Sequence, residues 1–230
     1  MKTQVWQVGG KWIDLDTTEV GTWVKTTNNT DIFKSVQEYK EIGSDSTTSP
    51  LFFDFDSTDI AVSQKDTIKV VEYLQQYTTP EIYFSGNKGF HVIVRQEVVG
   101  IDFTVDLHKK MKNFVKFVEN SIEPLPTLDY VVYSSKRMLR IPNSKHGKSG
   151  LYKIPISLEE LKNKTVEEIK ELAKAPRTMV FQPPLKSLDL SNLWNSHIMQ
   201  YDELNAQVYD VKTVPNPISV IISIYSLSGI

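Results

Sequence analysis

The pattern of apolar and polar residues predicts that the chain opens in strands. Two alternating runs flank Gly9-Gly10, and paired glycines are typical of a tight β-hairpin turn because glycine accepts positive φ angles. The segment that begins at Thr30-Asp31 fits either a capped short helix or a further strand. The Ser/Thr-rich residues 43–50 predict a loop.

The middle of the chain alternates strand and helix patterns. Apolar runs predict strands over residues 51–56, 81–84, 90–94, 130–133 and 138–141. Apolar residues at helical spacing predict amphipathic helices over 65–77, 105–121 and 165–174. Ser157-Leu158-Glu159-Glu160 has the form of a capping box at a helix start. This order of elements predicts an α/β (α+β) fold.

Prolines interrupt the pattern after residue 176, notably Pro183-Pro184, Pro215 and Pro217. We therefore expect a core domain of residues 1–175 and a C-terminal appendage of residues 176–230. The apolar residues 218–230 are too few and too polar to span a bilayer, and they predict a packed strand or an interface segment. The N-terminus has no basic segment followed by an apolar stretch, so no signal peptide and no membrane association are expected.

Composition limits the chemistry of the chain. Its 230 residues contain no cysteine and carry a formal net charge of −2. The lack of cysteine excludes disulfides, thiol nucleophiles and Cys-ligated zinc, and it fits an intracellular (cytoplasmic) protein. Any affinity for nucleic acid must come from a local basic patch, because the chain as a whole is slightly acidic.

The predicted strand 51–56 places two acids in an otherwise apolar run. Side chains alternate along a strand, so Asp54 and Asp56 share one face while their apolar neighbours bury on the other. Two ionised carboxylates about 7 Å apart repel each other and lose hydration, a cost that a divalent cation bound between them offsets. The alternative is an edge strand with two solvated acids.

A glycine-bracketed turn, Ser85-Gly86-Asn87-Lys88-Gly89-Phe90-His91, joins the next two predicted strands. Glycines allow backbone N–H groups to converge on an anion, Ser85 and His91 donate hydrogen bonds, and Lys88 adds positive charge, so the turn is suited to cradle phosphate. The alternative is an ordinary hairpin turn with one satisfied histidine.

A third motif combines a single acid, Asp129, with the strongly basic segment 137–150 that follows it. Within this segment Arg140, His146 and Lys148 are suited to clamp a polyanion. The alternative is a solvated basic loop.

Taken in order, these motifs resemble those of the archaeo-eukaryotic primase superfamily, the primase-polymerases. That family shows Asp-x-Asp at the end of an apolar strand, then Ser-Gly-x-x-Gly-x-His, then an Asp, and then a basic Arg-x-Pro-x-Ser-x-His-x-Lys segment. The resemblance covers roughly residues 51–156. It implies a two-lobed fold in which a catalytic sheet similar to the RNA-recognition-motif fold is joined by a mixed N-terminal lobe.

The resemblance also implies a function, a DNA-templated nucleotidyltransferase that makes primers on single-stranded DNA from NTPs or dNTPs. Asp54, Asp56 and Asp129 would hold two Mg²⁺ or Mn²⁺ ions. The nucleotide's triphosphate would be bound by a further set: Ser85, His91, Arg140 and His146. Lys88 and Lys148 would contact either the triphosphate or the template strand.

Several alternatives stay open at this point. The absence of cysteine points away from cellular primase subunits with a Cys/His zinc knob and towards the compact enzymes of plasmids, viruses and other mobile elements, for which a replicative helicase is an implied partner. An end-joining or gap-filling repair polymerase is the second candidate, and a non-catalytic nucleic-acid-binding replication module is the third. A rolling-circle nuclease is disfavoured because no second histidine pairs with His91.

The remaining aromatic and imidazole side chains are ambiguous in the sequence. Trp6, Trp12 and Trp23 are suited to stack on bases, although large aromatic residues in strands more often belong to the core. His108 and His197 match no motif, and we interpret them as surface or core residues.

Overall fold

The computed structural model describes residues 1–178 and 187–212, with side chains through residue 205. The strands within these residues are β1 (Lys2–Gln7), β2 (Ile13–Asp16), β3 (Ile32–Ser35), β4 (Glu38–Tyr39), β5 (Thr47–Thr48), β6 (Leu51–Asp56), β7 (Glu81–Phe84), β8 (Gly89–Val94), β9 (Met138–Arg140) and β10 (Ile154–Pro155). The helices are α1 (Val20–Val24), α2 (Ile60–Leu74), α3 (Gln96–Val99), α4 (Leu107–Asn120), α5 (Leu158–Asn163), α6 (Val166–Leu172) and α7 (Leu188–Lys212).

A six-stranded sheet is built from the N-terminal strands and β9. Its order is β5-β4-β1-β3-β9, and β2 pairs with β1 on the side. The predicted hairpin at Gly9-Gly10 is confirmed, because β1 and β2 are antiparallel and Gly9 has a φ of 83°. The segment after Asp31 forms strand β3 rather than a helix.

A four-stranded antiparallel sheet has the order β10-β7-β8-β6. The predicted strands 51–56 and 81–84 have the observed bounds, and β8 begins one residue before the predicted 90–94. The prediction of a strand over 130–133 is wrong. Tyr130–Val132 forms a short 3-10 helix, because the Asp129 carboxylate accepts a hydrogen bond from the backbone N–H of Val131 and turns the chain away from the sheet.

Helix α2 lies against β6 and β8 and covers one face of the four-stranded sheet. It begins at Ile60, five residues before the predicted start at residue 65, because Asp59 caps it by accepting a hydrogen bond from the N–H of Ala61. The apolar side chains of this face are fully or nearly fully buried: Leu51, Phe53, Phe55, Ile82, Phe84, Phe90, Val92 and Val94. This layer is the core that fixes the sheet.

The predicted capping box at Ser157 is confirmed at the start of α5, and Thr165 caps α6 in the same way. Helix α4 spans 107–120 where 105–121 was predicted. Trp194, near the start of α7, contacts the ring of Phe114 edge-on. Among the residues that the structure describes, no helix is both long and apolar enough to cross a membrane.

Two sheets with helices around them confirm the predicted α/β (α+β) fold class. The predicted division into residues 1–175 and 176–230 stays a prediction. The prolines at 183–184, 215 and 217 and the apolar stretch 218–230 lie outside the described residues.

Candidate active site

Asp54 and Asp56 lie on the face of the four-stranded sheet that α2 does not cover. The register of β6 and β8 pairs Asp54 with His91 and Asp56 with Gly89. Asp54 is only 4% exposed, whereas the Asp56 side chain is 33% exposed. The alternative of two solvated acids is therefore wrong for Asp54.

Asp129 is brought beside these acids by backbone hydrogen bonds. β6 is the outer strand of its sheet, and residues 127–129 run along its free edge. The N–H of Asp56 donates to the carbonyl of Thr127, and the N–H of Asp129 donates to the carbonyl of Asp54, each at 2.8 Å. Because antiparallel neighbours point to the same face, the three carboxylates project from one side of the sheet.

Asp66 on α2 holds the segment that carries Asp129. Its carboxylate accepts hydrogen bonds from the backbone N–H of Thr127 at 3.1 Å and from the Thr127 hydroxyl at 2.7 Å. Asp66 is 3% exposed. Sequence reasoning missed this residue, and an acid on the apolar stripe of a predicted helix was the only signal for it.

The environment of Asp54 disfavours its charge. Burial, followed by repulsion from Asp56 and Asp129, raises the pKa of Asp54 to about 7, although the positive charge of Arg137 acts in the opposite direction. Arg137 donates from Nη2 to Asp54 Oδ2 at 3.4 Å. The other oxygen, Oδ1, is buried and accepts no hydrogen bond, since His91 Nε2 at 3.4 Å lacks the geometry for one. Asp54 is thus a buried carboxylate whose charge is incompletely balanced.

The donor set suits a divalent metal in its chemistry, although the side chains do not form a cage. Within residues 1–178 and 187–205, no three His, Cys, Asp or Glu side chains are arranged as a metal site. The acids are engaged elsewhere: Lys88 Nζ lies 3.1 Å from Asp56 Oδ2, Arg137 contacts Asp54, and Asp129 caps its own turn. Mg²⁺ and Mn²⁺ prefer carboxylate oxygen, so these residues fit such ions once Lys88 and Arg137 withdraw.

His91 is buried beside the acids. It is 6% exposed, and burial, together with the charges of Lys153 and Arg137, lowers the pKa of His91 well below its ordinary value. Its Nδ1 is buried and makes no hydrogen bond. The alternative of a satisfied core histidine is therefore wrong, and the neutral ring retains an unused polar atom.

The hydroxyl of Ser85 occupies backbone N–H groups of the glycine turn. Ser85 Oγ accepts hydrogen bonds from the N–H groups of Asn87 at 3.4 Å and Gly89 at 3.2 Å. Two of the N–H groups expected to bind an anion are thus already used. Gly89 is required for strand pairing, because a Cβ there would lie 1.6 Å from the carbonyl oxygen of Phe55.

The basic loop contacts this turn. The Ser149 hydroxyl donates to the carbonyl of Gly86, which brings residues 146–150 beside the turn. His146 Nδ1 accepts hydrogen bonds from the N–H groups of Lys148 and Ser149, each at 3.2 Å. Lys148 is exposed. The structure thus brings together the two predicted phosphate-binding motifs, one on each side of this contact.

At Arg140 the structure contradicts the alternative of a solvated basic loop, because this side chain is largely buried. Its side chain is 9% exposed, and Nη1 lies 2.7 Å from Asp31 Oδ1. The same atom donates to the carbonyl of Lys145 at 2.9 Å, and the guanidinium carbon lies 4.7 Å from the ring centre of Phe33. In this arrangement Arg140 already has an anionic partner.

Two cations in this region were not predicted as site residues. Arg137, which contacts Asp54, belongs to the basic segment but to no motif. Lys153 is 1% exposed; its Nζ donates to the carbonyl of Arg140 at 2.9 Å and lies 5.1 Å from the ring centre of Tyr83. Burial lowers the pKa of Lys153 to about 7. A lone lysine in the apolar run Tyr152–Ile156 was the only sequence signal for it.

The chain is similar in sequence to archaeal primase subunits, although no protein-family profile matches it. The DNA primase small subunit PriS of Pyrobaculum islandicum is 25% identical over 183 aligned positions, covering 65% of this chain and 56% of the relative. PriS of Saccharolobus solfataricus is 33% identical over 91 positions, covering 31% of this chain and 28% of the relative. The chain therefore spans about half or less of the length of these relatives.

Partial similarity to solved structures was also found. One is the polymerase domain of Mycobacterium tuberculosis Ligase D in complex with DNA, with a TM-score of 0.46 and 14% identity over 86% of this chain and 71% of that chain. Another is primase RepB', with a TM-score of 0.48 and 11% identity over 92% of this chain and 61% of that chain.

The motif order in this sequence and the similarity to primase small subunits agree with each other. Asp54, Asp56 and Asp129 lie on one face, as the motifs predict, and the glycine turn and the basic loop are in contact. The similarity to archaeal primase small subunits thus agrees with the resemblance of the motifs to those of the archaeo-eukaryotic primase superfamily.

Proposed function

We propose that this chain is a DNA-templated nucleotidyltransferase that synthesises primers on single-stranded DNA from NTPs or dNTPs. The observation that carries the proposal is Asp54, a buried carboxylate with an oxygen that accepts no hydrogen bond, flanked on the same face by Asp56 and Asp129. Buried acids with a strongly raised pKa are uncommon outside functional sites.

The three acids would hold two Mg²⁺ or Mn²⁺ ions. Bound there, such ions supply activation of the attacking hydroxyl and neutralisation of the charge that develops on the leaving pyrophosphate. Binding requires Lys88 to leave Asp56 and Arg137 to leave Asp54, which frees both cations for phosphate groups. Metal binding to the acids would thereby also release two cations for the nucleotide site.

The triphosphate would lie between the glycine turn and the basic loop. Ser85, His91 and His146 supply neutral hydrogen-bonding groups, while Lys88 and Lys148 supply charge from partly or fully exposed positions. Arg140 contributes only if phosphate replaces Asp31 as its partner, since a guanidinium binds carboxylate and phosphate oxygens alike.

The proposal is tested by replacing one acid with its neutral isostere. Wild type, Asp54→Asn and the exposed control Asp189→Asn are incubated with single-stranded DNA, labelled NTPs or dNTPs and Mn²⁺, with and without a primer, and the products are sized on a gel. We expect primer-independent products from the wild type and the control, and at least a thousandfold less from Asp54→Asn.

Other outcomes select between the alternatives. Products that require a primer would favour an end-joining or gap-filling polymerase. Binding of DNA without any product would favour a non-catalytic replication module, a function consistent with the present pairing of the acids with Lys88 and Arg137. We further propose a plasmid, viral or other mobile-element origin, which rests on the lack of cysteine although the sequence relatives are archaeal primase subunits. The proposal of a helicase partner rests on the family resemblance alone.

A further inference from the structure

A row of stacked side chains crosses the six-stranded sheet. The strand register pairs Trp6 with Phe33 and Phe33 with Arg140, and Trp12, just before β2, stacks on Trp6. The ring centres of Trp12 and Trp6 are 5.9 Å apart with planes 16° from parallel, and those of Trp6 and Phe33 are 5.6 Å apart. We call these four residues the aromatic row.

The aromatic row is covered at one end and open at the other. The Arg140 end is buried by its contacts with Asp31 and Phe33. Trp12 at the opposite end is 51% exposed, and Val8, which follows the strand that carries Trp6, is 55% exposed. An indole that is held flat on a second indole and left half in water does not serve core packing. Such an exposed apolar surface marks an interaction site.

We propose that the aromatic row is a platform on which bases of the single-stranded template stack, a proposal that rests on the proposed function. Planar rings accept the faces of all four bases, which suits an enzyme that must copy any sequence. The charge of Arg140 at the buried end is already paired with Asp31, so positive charge for the phosphate backbone comes from the exposed Lys11, which directly precedes Trp12.

A polar cavity continues from the open end of the row. It has a volume of about 810 Å³ and is bordered by Trp12, Gln4, Gln37, His108 and Lys136, and also by two acids, Asp45 and Asp106. Asp106 is paired with Lys109. Amide and imidazole groups can bond to base edges, and Lys136 can neutralise a phosphate. Lys136 directly precedes Arg137, the residue that contacts Asp54. Arg137 itself does not border the cavity, so the relation of the cavity to the candidate active site is adjacency in sequence.

The test measures DNA binding without synthesis. A fluorescein-labelled 20-mer of thymidylate is titrated, without metal or nucleotide, with wild type, Trp12→Ala, Trp12→Phe and the control Trp23→Ala, whose indole lies on α1 outside the row. We expect the Kd to rise about tenfold for Trp12→Ala, the loss of one stacked base. We expect it to stay within threefold for Trp12→Phe and within twofold for Trp23→Ala.

A 20-mer of abasic sites separates stacking from charge. Because it keeps the phosphates but lacks the bases, it should bind all variants equally weakly. Equal affinity of wild type and Trp12→Ala for the thymidylate 20-mer, or no binding by wild type, would overturn the platform and leave this face to a different class of partner. Circular dichroism and thermal unfolding check that each variant is folded.

The outcome is independent of the synthesis assay. Trp12-dependent binding by a protein that makes no product would keep the platform and remove the proposed function. Synthesis by a protein whose DNA binding does not depend on Trp12 would keep the proposed function and remove the platform.

Discussion

The two faces of the four-stranded sheet are built by the same strands and have opposite physical characters. On the face towards α2, side chains such as Phe53 and Phe90 are fully buried and apolar. On the other face, Asp54, His91 and Lys153 are almost as deeply buried but are ionisable. Burying apolar groups stabilises the fold, whereas burying ionisable groups costs free energy. The free energy gained by burying the apolar face therefore offsets the cost of burying the ionisable groups of the candidate active site.

The largest expected effect comes from weakening the apolar face. Phe53→Ala removes a fully buried ring and should lower the free energy of unfolding by about 3–5 kcal/mol. Urea denaturation followed by circular dichroism measures the change. Val131→Ala is the control, because Val131 is 77% exposed and its truncation should have little effect. A loss under about 1 kcal/mol for Phe53→Ala would contradict the division between the faces.

Asp54→Asn should act in the opposite direction. The folded-state pKa of Asp54 is raised to about 7, so the metal-free wild type loses stability as the pH rises from about 4 to 7. The variant avoids this loss and should be more stable by roughly 2–4 kcal/mol at pH 8, with no advantage at pH 4. Thermal unfolding in EDTA at both values measures the difference.

Mn²⁺ should change the difference in stability between wild type and Asp54→Asn. Ions bound by the folded wild type stabilise it by mass action, while the variant lacks one ligand. We expect the difference in melting temperature at pH 8 to shrink or reverse in Mn²⁺. A wild type that is more stable than Asp54→Asn at pH 8 in EDTA would show that the buried carboxylate is balanced in the metal-free protein.

Lys153→Met should also stabilise the protein, by about 1–3 kcal/mol at pH 7. The folded-state pKa of Lys153 is lowered to about 7, below its value in the unfolded chain. Wild-type stability is therefore reduced at and below neutral pH, and it recovers as the pH rises towards about 10.5. The advantage of the variant should shrink at pH 9.5, as measured by urea denaturation at both values. Destabilisation at pH 7 would mean that the hydrogen bond to Arg140 outweighs the burial of charge.

The smallest expected effect belongs to Lys88→Ala. Its ion pair with Asp56 is half exposed, so the free energy of unfolding should change by less than about 1 kcal/mol. Affinity for Mn²⁺, measured by titration calorimetry, should increase severalfold because the ammonium no longer competes for Asp56. Lys162→Ala, which removes another partly exposed ion pair, is the matched control. Weaker Mn²⁺ binding by Lys88→Ala would contradict the competition between lysine and metal.

The sequence predicts those features of this site that depend on residues close together in the chain. Alternation with a period of two determines which face Asp54 and Asp56 occupy, and the observed register agrees with it. The strand predicted over 130–133 was wrong because one hydrogen bond from Asp129 outweighs the strand propensity of the apolar run. The burial of Lys153 depends on segments distant in the chain, and the apolar residues beside it are its only local indication.

The segment 127–129 also has a consequence for solubility. Without it, β6 would present Leu-Phe-Phe-Asp-Phe-Asp as an open outer strand, and such apolar edges pair with other chains and aggregate. Asp66 fastens this cover through Thr127. The Asp66 carboxylate that positions Asp129 therefore also protects the molecule against self-association. Loss of Asp66 would both displace Asp129 and expose the edge of β6 to aggregation.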